Sequence, residues 1–357
     1  MRANSDLFPP PLLSLPPGWE RKTGDGYSLA IPPAVDARGE FARSVADSLS
    51  RRPRHLLSTW LYDTAGSELF EQITHQPEYY QTRTENDLLA RWAPGIREQT
   101  GPVTLVELGS GSSTKTRRLL EAILPRGPAG YVPIDVSRDA LESACRSLAA
   151  DFPALEIEGI ASTYEQALPL TAHLSPVLLS FLGSTVGNID DAAMQRFFGT
   201  LSDHLAAGDF LLLGIDLVKD RERLEAAYND AAGVTAAFTI NLFARINREL
   251  GCQIPLEALS HEAFYNAEAE QIEIYARFDR PVVIDLPQVG RSFAIAGGER
   301  VRTEISHKFR PEAMATRLSR HGFALEHTCT DADDLFAVQL FRRDATTARP
   351  VAPRPTA

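Results

Sequence analysis

The chain has 357 residues, 44% of them hydrophobic and 23% charged, the make-up of a globular protein with a large core rather than of a disordered or fibrous one. Thirty-six Lys and Arg against 47 Asp and Glu leave a formal charge of −11, so no polybasic surface for nucleic acid or anionic lipid is expected. Cys145, Cys252 and Cys329 are the only cysteines and form no C-x-x-C pair, which argues against a disulfide framework or a zinc knuckle. No apolar run approaches the ~20 residues of a membrane span, and no apolar secretory segment follows Met1, so a cytoplasmic location is expected.

Residues 1–35 hold seven of the 24 prolines. Such a segment favours extended backbone and cannot propagate a helix, so it is expected to form an arm on the body. From about residue 84, strand and helix alternate. V-T-L-V-E-L (103–108) predicts a strand and T-K-T-R-R-L-L-E-A-I-L (114–124) a helix. G-Y-V-P-I-D (130–135) is the second strand, and residues 137–148 are the second helix, with Ser137 as its N-cap. Strands are predicted at 155–160, 177–182 and 210–215, the last two as nearly continuous apolar runs of the kind that a sheet covered on both faces requires. Residues 218–250 read as two helices, with a charged, solvated face at 218–230, and 262–306 as short strands. A helix at 311–321 and strands at 322–328 and 334–342 follow. Residues 345–357 lack periodicity and read as a flexible tail.

This alternation predicts an α/β fold with a parallel sheet, whose ligands sit beyond the carboxyl ends of the strands. Gly109 to Gly111, Asp135 and Gly183 to Asn188 all fall just past strand ends. V-E-L-G-S-G (106–111) turns from strand to helix through glycines, which allow close approach of a ligand to the backbone. The dinucleotide fingerprint would place a third glycine where Thr114 stands, and no Walker pattern occurs, so NAD and nucleoside triphosphates are disfavoured. A nucleoside without a polyphosphate remains, and S-adenosylmethionine (SAM) fits. Asp135 is placed to accept from both ribose hydroxyls. Glu107 is placed to meet the methionyl ammonium or to stiffen the loop, and a mere capping role is open to both carboxylates.

Eight blocks in one order then carry a resemblance: W-L-Y-D-T-A-G-S-E-L-F-E-Q-I-T (60–74), P-E-Y-Y-Q-T-R-T-E (77–85), V-E-L-G-S-G (106–111), I-D-V-S (134–137), F-L-G-S-T-V-G-N (181–188), D-L-V-K-D (216–220), A-Y-N-D-A-A-G-V-T-A-A-F (227–238) and E-I-S-H-K-F-R-P-E (304–312). From Leu57 to Phe341 the chain resembles the L-histidine Nα-methyltransferases that form hercynine in ergothioneine biosynthesis. The resemblance implies a Rossmann-like class I SAM-dependent methyltransferase core (84–217 and 308–344) with an α+β substrate-binding module (36–83 and 218–307). It further implies that Gly109, Ser110, Gly111 and Lys115 shape the cofactor loop and that Asp135 holds the ribose, with Thr163 and Tyr164 at the adenine edge in place of the family's acidic-aromatic pair. Asn188, Tyr228 and Tyr79 correspond to the residues that grip the amino-acid head group, and Tyr62 lies by the reacting amine, so that Tyr62 and Asn188 are the implied catalytic pair. Glu304 and Ser306 match the imidazole-binding pair, Ile274 stands where some members place a methionine against the ring, and Gly183 belongs to the loop shared by cofactor and substrate.

The chemistry asked of such residues is an in-line displacement in which alignment matters most, and no metal is needed. An α-amine with a pKa of roughly 8 is reachable in its neutral form without a strong base. A carboxylate beside it would favour the ammonium, so Glu304 is expected at the ring end. The i, i+2 spacing of Glu304 and Ser306 turns both to one face of a strand, and turns His307 to the other, where a structural role is expected. The implied partner is free L-histidine; a monomer is expected, with a dimer as the open alternative. The competing expectations are another aromatic amino acid such as tryptophan, suggested by Ile274, and a SAM-binding regulator without turnover.

Overall fold

The computed structural model describes residues 11–344, apart from residues 35, 112, 114 and 125–128; Thr114 of the glycine-loop motif, the first ten residues of the expected arm and the expected tail at 345–357 therefore lie outside the described residues. The chain opens with a hairpin, β1 (Glu20–Thr23) and β2 (Tyr27–Ile31), followed by three helices, α1 (Ala37–Ser50), α2 (Thr64–Thr74) and α3 (Tyr80–Thr100). The alternating part follows as β3 (Thr104–Leu108), α4 (Thr116–Ile123), β4 (Ala129–Asp135), α5 (Arg138–Asp151), β5 (Leu155–Ala161), α6 (Tyr164–Thr171), β6 (Val177–Phe181), α7 (Asp191–His204) and β7 (Phe210–Asp216). Helices α8 (Arg221–Ala226) and α9 (Val234–Leu250) lead into β8 (Leu259–Asn266), β9 (Gln271–Phe278), β10 (Val282–Leu286), β11 (Arg291–Ile295) and β12 (Arg300–His307). Helix α10 (Pro311–Ser319) and the strands β13 (Phe323–Thr330) and β14 (Phe336–Arg343) complete the fold.

The main sheet has nine strands in the order β1-β2-β5-β4-β3-β6-β7-β14-β13, with β2 to β7 parallel and β1, β13 and β14 antiparallel to their neighbours. Its period of two sorts the core. Val106 and Leu108 enter the cluster under α6, α7 and α10, whereas Leu105 enters the cluster under α3, α4 and α5. Strands β6 and β7 are buried at every position, as their apolar runs require. The sheet order reverses between β3 and β6, so a crevice opens past the carboxyl ends of these two strands. Both glycine-rich loops lie there.

Two expectations about organisation meet a different structure. Residues 20–31, read as part of an arm, are strands of the sheet, because β2 carries buried Tyr27, Leu29 and Ala30 and pairs in parallel with β5. Leu13 is buried as well, its N–H bonded to the Glu158 carboxylate, which Arg21 also meets at 2.7 Å. The division drawn between residues 83 and 84 falls inside α3, whose 21 residues run through Pro94 without a break. A third apolar cluster joins α1, α2 and α9 to the three-stranded sheet β12-β9-β8 and the β10-β11 hairpin. Among the described residues no helix is long and apolar enough to cross a membrane.

Candidate active site

The glycine loop is pinned to the end of β4. Gly109 N–H donates to the Ile134 carbonyl at 2.8 Å and Gly111 N–H to Asp135 Oδ2 at 2.9 Å, while Asp135 Oδ1 accepts from Ser137 N–H at 2.8 Å. Burial raises the Asp135 pKa against these bonds. Gly109 has φ of 66°, and a Cβ there would come within 2.8 Å of the Tyr164 hydroxyl, so the position requires glycine on both counts. Tyr164 is held by ring contacts with Phe181 and Phe197, and Thr163 beside it is exposed.

Glu107 is bonded within the junction that follows its own strand. On β3 it shares a face with Leu105, and its two oxygens accept from Thr116 Oγ1 and the Tyr131 hydroxyl, each at 2.5 Å. Burial pushes its pKa up to about 7, against those hydrogen bonds. Both oxygens are thus engaged at the junction of β3 and α4.

Lys115 points to the other glycine loop. Its Nζ pairs with Glu85 Oε2 at 2.6 Å, and both Glu85 oxygens accept from Gly183 N–H at 2.8 and 2.9 Å. Gly183 has φ of 73°, and a Cβ would sit 3.0 Å from Lys115 Nζ. Fully buried Glu85 on α3 thus ties the cofactor loop to the loop after β6. Its role was not foreseen, although it closes the quoted block P-E-Y-Y-Q-T-R-T-E; an acidic residue one or two helical turns after two tyrosines has no local signature of burial.

The eight residues implied to bind substrate, Tyr62, Tyr79, Gly183, Asn188, Tyr228, Ile274, Glu304 and Ser306, line one cavity together with Phe70, Ile73, Thr185, Thr235 and Phe238. Tyr62 caps the short turn Ser58–Leu61 just before α2 and is wedged edge-on between Phe70 and Phe238. Tyr79 begins α3 and packs on Phe70 and Tyr228. Burial, then the Glu304 charge, holds the Tyr62 phenol well above its ordinary pKa. Both effects favour the un-ionised phenol.

Glu304 and Ser306 leave β12 on one face, opposite Ile274 and Ile272 of β9. Glu304 Oε1 accepts from Asn188 Nδ2 at 3.1 Å, so the residues implied for the head group and for the ring touch. Burial raises the Glu304 pKa to about 7, opposed by the nearby Lys308 charge. His307 faces away, its ring beside Phe309, as expected for the opposite side of the strand.

Behind Ser306 lies a buried network with no counterpart in the sequence reading. Asp216, fully buried at the end of β7, pairs with Lys308 at 2.8 Å and with Lys219, and accepts from the Tyr80 hydroxyl at 2.8 Å. Burial works against the Asp216 charge, but the two lysines hold its carboxyl below the usual range; burial in turn lowers Lys219 to about 8. Lys308 Nζ also meets the Tyr228 hydroxyl and Ser306 Oγ, each at 2.9 Å. Lys308 sits in the quoted block E-I-S-H-K-F, two residues past Ser306, and that spacing was the available signal.

The crevice fits SAM. Ser110 Oγ is buried without a protein partner in the glycine loop, the Gly109 cradle excludes even a methyl group, and Asp135 stands at the end of the adjacent strand. A parallel sheet with its glycine loops at the switch point, joined by Glu85 to a cavity lined by Tyr62, Tyr79, Asn188, Glu304 and Ser306, is the arrangement of a SAM-dependent methyltransferase. Residues 41–343 match the family described as histidine-specific, SAM-dependent methyltransferases, and the chain belongs to that family. It is 42% identical over 319 residues to the histidine N-alpha-methyltransferase of Mycolicibacterium smegmatis, covering 88% of this chain and 98% of that protein. Identity to the histidine N-alpha-methyltransferase of Mycobacterium tuberculosis is 38%, over 84% of this chain and 93% of that protein. Ergothioneine biosynthesis protein 1 of Neurospora crassa is 32% identical over 56% of this chain and 23% of its own length.

Proposed function

We propose that the enzyme methylates the α-amine of free L-histidine three times, giving hercynine for ergothioneine biosynthesis, and that it does so in the cytoplasm. The observation that carries this reading is the single cavity in which Glu304 and Ser306 converge from one strand, Asn188 bonds to Glu304, and Gly183, Tyr62 and Tyr79 share the wall. SAM, when bound, supplies a methyl group on a sulfonium. Gly109, Ser110, Gly111 and Asp135 hold its nucleoside, and Glu85 keeps Lys115 and the Gly183 loop in fixed relation to it. In this reading Glu304 and Ser306 take the imidazole, which leaves the α-amine toward the shared loop.

The amine needs only a free lone pair and alignment, and an un-ionised Tyr62 can orient it without capturing its proton. In this reading Glu304 is paired with the ring N–H rather than with the ammonium. The series stops at a quaternary nitrogen, which has no lone pair. The test incubates purified enzyme with SAM and each of the twenty amino acids and reads mass gains of one, two or three methyl groups. Histidine gaining three is the expected result; gain on another amino acid alone sinks the reading. A competing aromatic substrate is suggested by Ile274, the aliphatic side chain that faces Glu304 across the strand pair, and histidine-tryptophan competition in the same assay decides between them.

A further inference from the structure

A serine hydroxyl has one proton to give and two lone pairs to receive. At Ser306 both lone pairs are claimed from behind. The Tyr228 hydroxyl donates to Ser306 Oγ at 2.8 Å, and Lys308 Nζ donates to it at 2.9 Å. Neither bond can reverse easily. Lys308 is an ammonium with donors only, and its three protons are matched by Ser306, the Tyr228 hydroxyl at 2.9 Å and Asp216 Oδ2 at 2.8 Å. Tyr228 receives from Lys308 and, at 3.4 Å, from the Gln81 amide nitrogen, so its own proton goes to Ser306. The Lys308 and Asp216 side chains are fully buried, which keeps water from supplying an alternative partner.

Resting on the histidine reading above, we propose that Lys308 is a positioning residue that makes Ser306 a fixed hydrogen-bond donor, so that the subsite takes a neutral imidazole with a bare nitrogen toward Ser306 and an N–H toward Glu304. The two sides of the cavity then differ in polarity: Ser306 offers only a proton, and the Glu304 carboxylate offers only lone pairs. An imidazolium, with two N–H donors, meets a donor at Ser306 and the Lys308 charge behind it. A ring with C–H in place of the bare nitrogen leaves the Ser306 proton unpaired. The same network occupies the Tyr228 hydroxyl completely, so Tyr228 serves the subsite through Ser306 and its ring face.

Two measurements test this. In the first, ring-15N-labelled L-histidine is bound to the wild-type enzyme with S-adenosylhomocysteine at pH 8, where the Glu304 carboxyl is ionised, and the 15N shifts are read. The expected signature is a neutral ring with one protonated and one bare nitrogen; an imidazolium signature overturns the proposal. In the second, kcat/KM is compared for histidine and its pyrrole analogue, which keeps the N–H and lacks the bare nitrogen. The wild type is expected to prefer histidine by roughly tenfold or more, the discrimination that an unpaired buried hydroxyl provides.

Lys308→Met frees Ser306 to turn its proton onto Tyr228 and is expected to compress that preference several-fold. Lys308→Arg, which keeps a cationic donor, is expected to retain it. Ser306→Ala should abolish the preference, with Lys308→Met adding nothing on top. An unchanged preference in a Lys308→Met enzyme that still binds SAM overturns the proposal; if that variant does not fold, Ser306→Ala and the 15N measurement decide. Enzyme that methylates no histidine at all defeats the underlying reading, whereas histidine methylated while bound as an imidazolium defeats this inference alone.

Discussion

Replacing Glu304 with Gln changes how the fold responds to pH. Burial raises the Glu304 pKa from 4.5 to about 7. A carboxyl whose folded pKa is raised binds its proton more tightly in the native state, so its contribution is fully present below pH 4.5 and is lost as the pH rises through 7. A rise from 4.5 to about 7 corresponds to about 3 kcal/mol. That is an upper figure, since Glu304 faces the cavity with part of its surface. Glutamine keeps the shape and does not titrate. The stability of Glu304→Gln minus that of the wild type should therefore rise by about 2 to 3 kcal/mol between pH 4.5 and pH 8.5. Glu107 is also raised to about 7 but is present in both proteins and cancels. Urea unfolding of both proteins at several pH values reads the difference directly. Stability curves that run parallel across this range would show that the cavity does not burden the carboxylate, and the electrostatic reading of the site would be wrong.

The other predictions concern the walls of the site. Glu304→Ala should lose most histidine affinity in calorimetry while binding SAM normally; retained histidine affinity would remove Glu304 from the substrate. Gly109→Ala places a Cβ against the Tyr164 hydroxyl at positive φ, so SAM affinity should fall at least about tenfold, a backbone penalty of roughly 1 to 2 kcal/mol adding to the clash. Adding Tyr164→Phe should recover only the part due to contact. Glu85→Gln leaves Lys115 without its carboxylate; because Lys115 is partly exposed, about 3 kcal/mol of stability, the low end for a broken buried pair, should be lost in denaturant titration, with weaker SAM binding. Ile274→Ala removes a 2% exposed wall residue, and should cost about 2 kcal/mol and raise tryptophan turnover relative to histidine in a competition assay. An unchanged ratio would show that this side chain does not limit ring size.

The alternation of apolar runs and amphipathic helices, the glycine loop after β3 and the spacing of Glu304 and Ser306 were legible because each depends on neighbours close in sequence. A period of two or 3.6, a turn that needs positive φ and two side chains on one strand face are local properties. From them, and from the blocks of family resemblance, the parallel sheet, the crevice and the eight residues of the cavity wall could be read. The proline-rich start was misjudged, because prolines at 16–17 and 32–33 bracket a hairpin whose place beside β5 is set by a strand far along the chain.

Tertiary structure alone decided the inward turn of Glu107 and the meeting of Glu85 with Gly183 across 98 residues. It also decided the convergence of Asp216, Lys308, Tyr228 and Ser306 from β7, the segment after β12, the stretch after α8, and β12 itself. Hydrogen-bond direction and charge burial depend on which partners arrive from elsewhere in the chain and on the exclusion of water around them. Sequence order therefore determined the scaffold and the names of the groups, and packing determined which of their protons and lone pairs were left for a substrate.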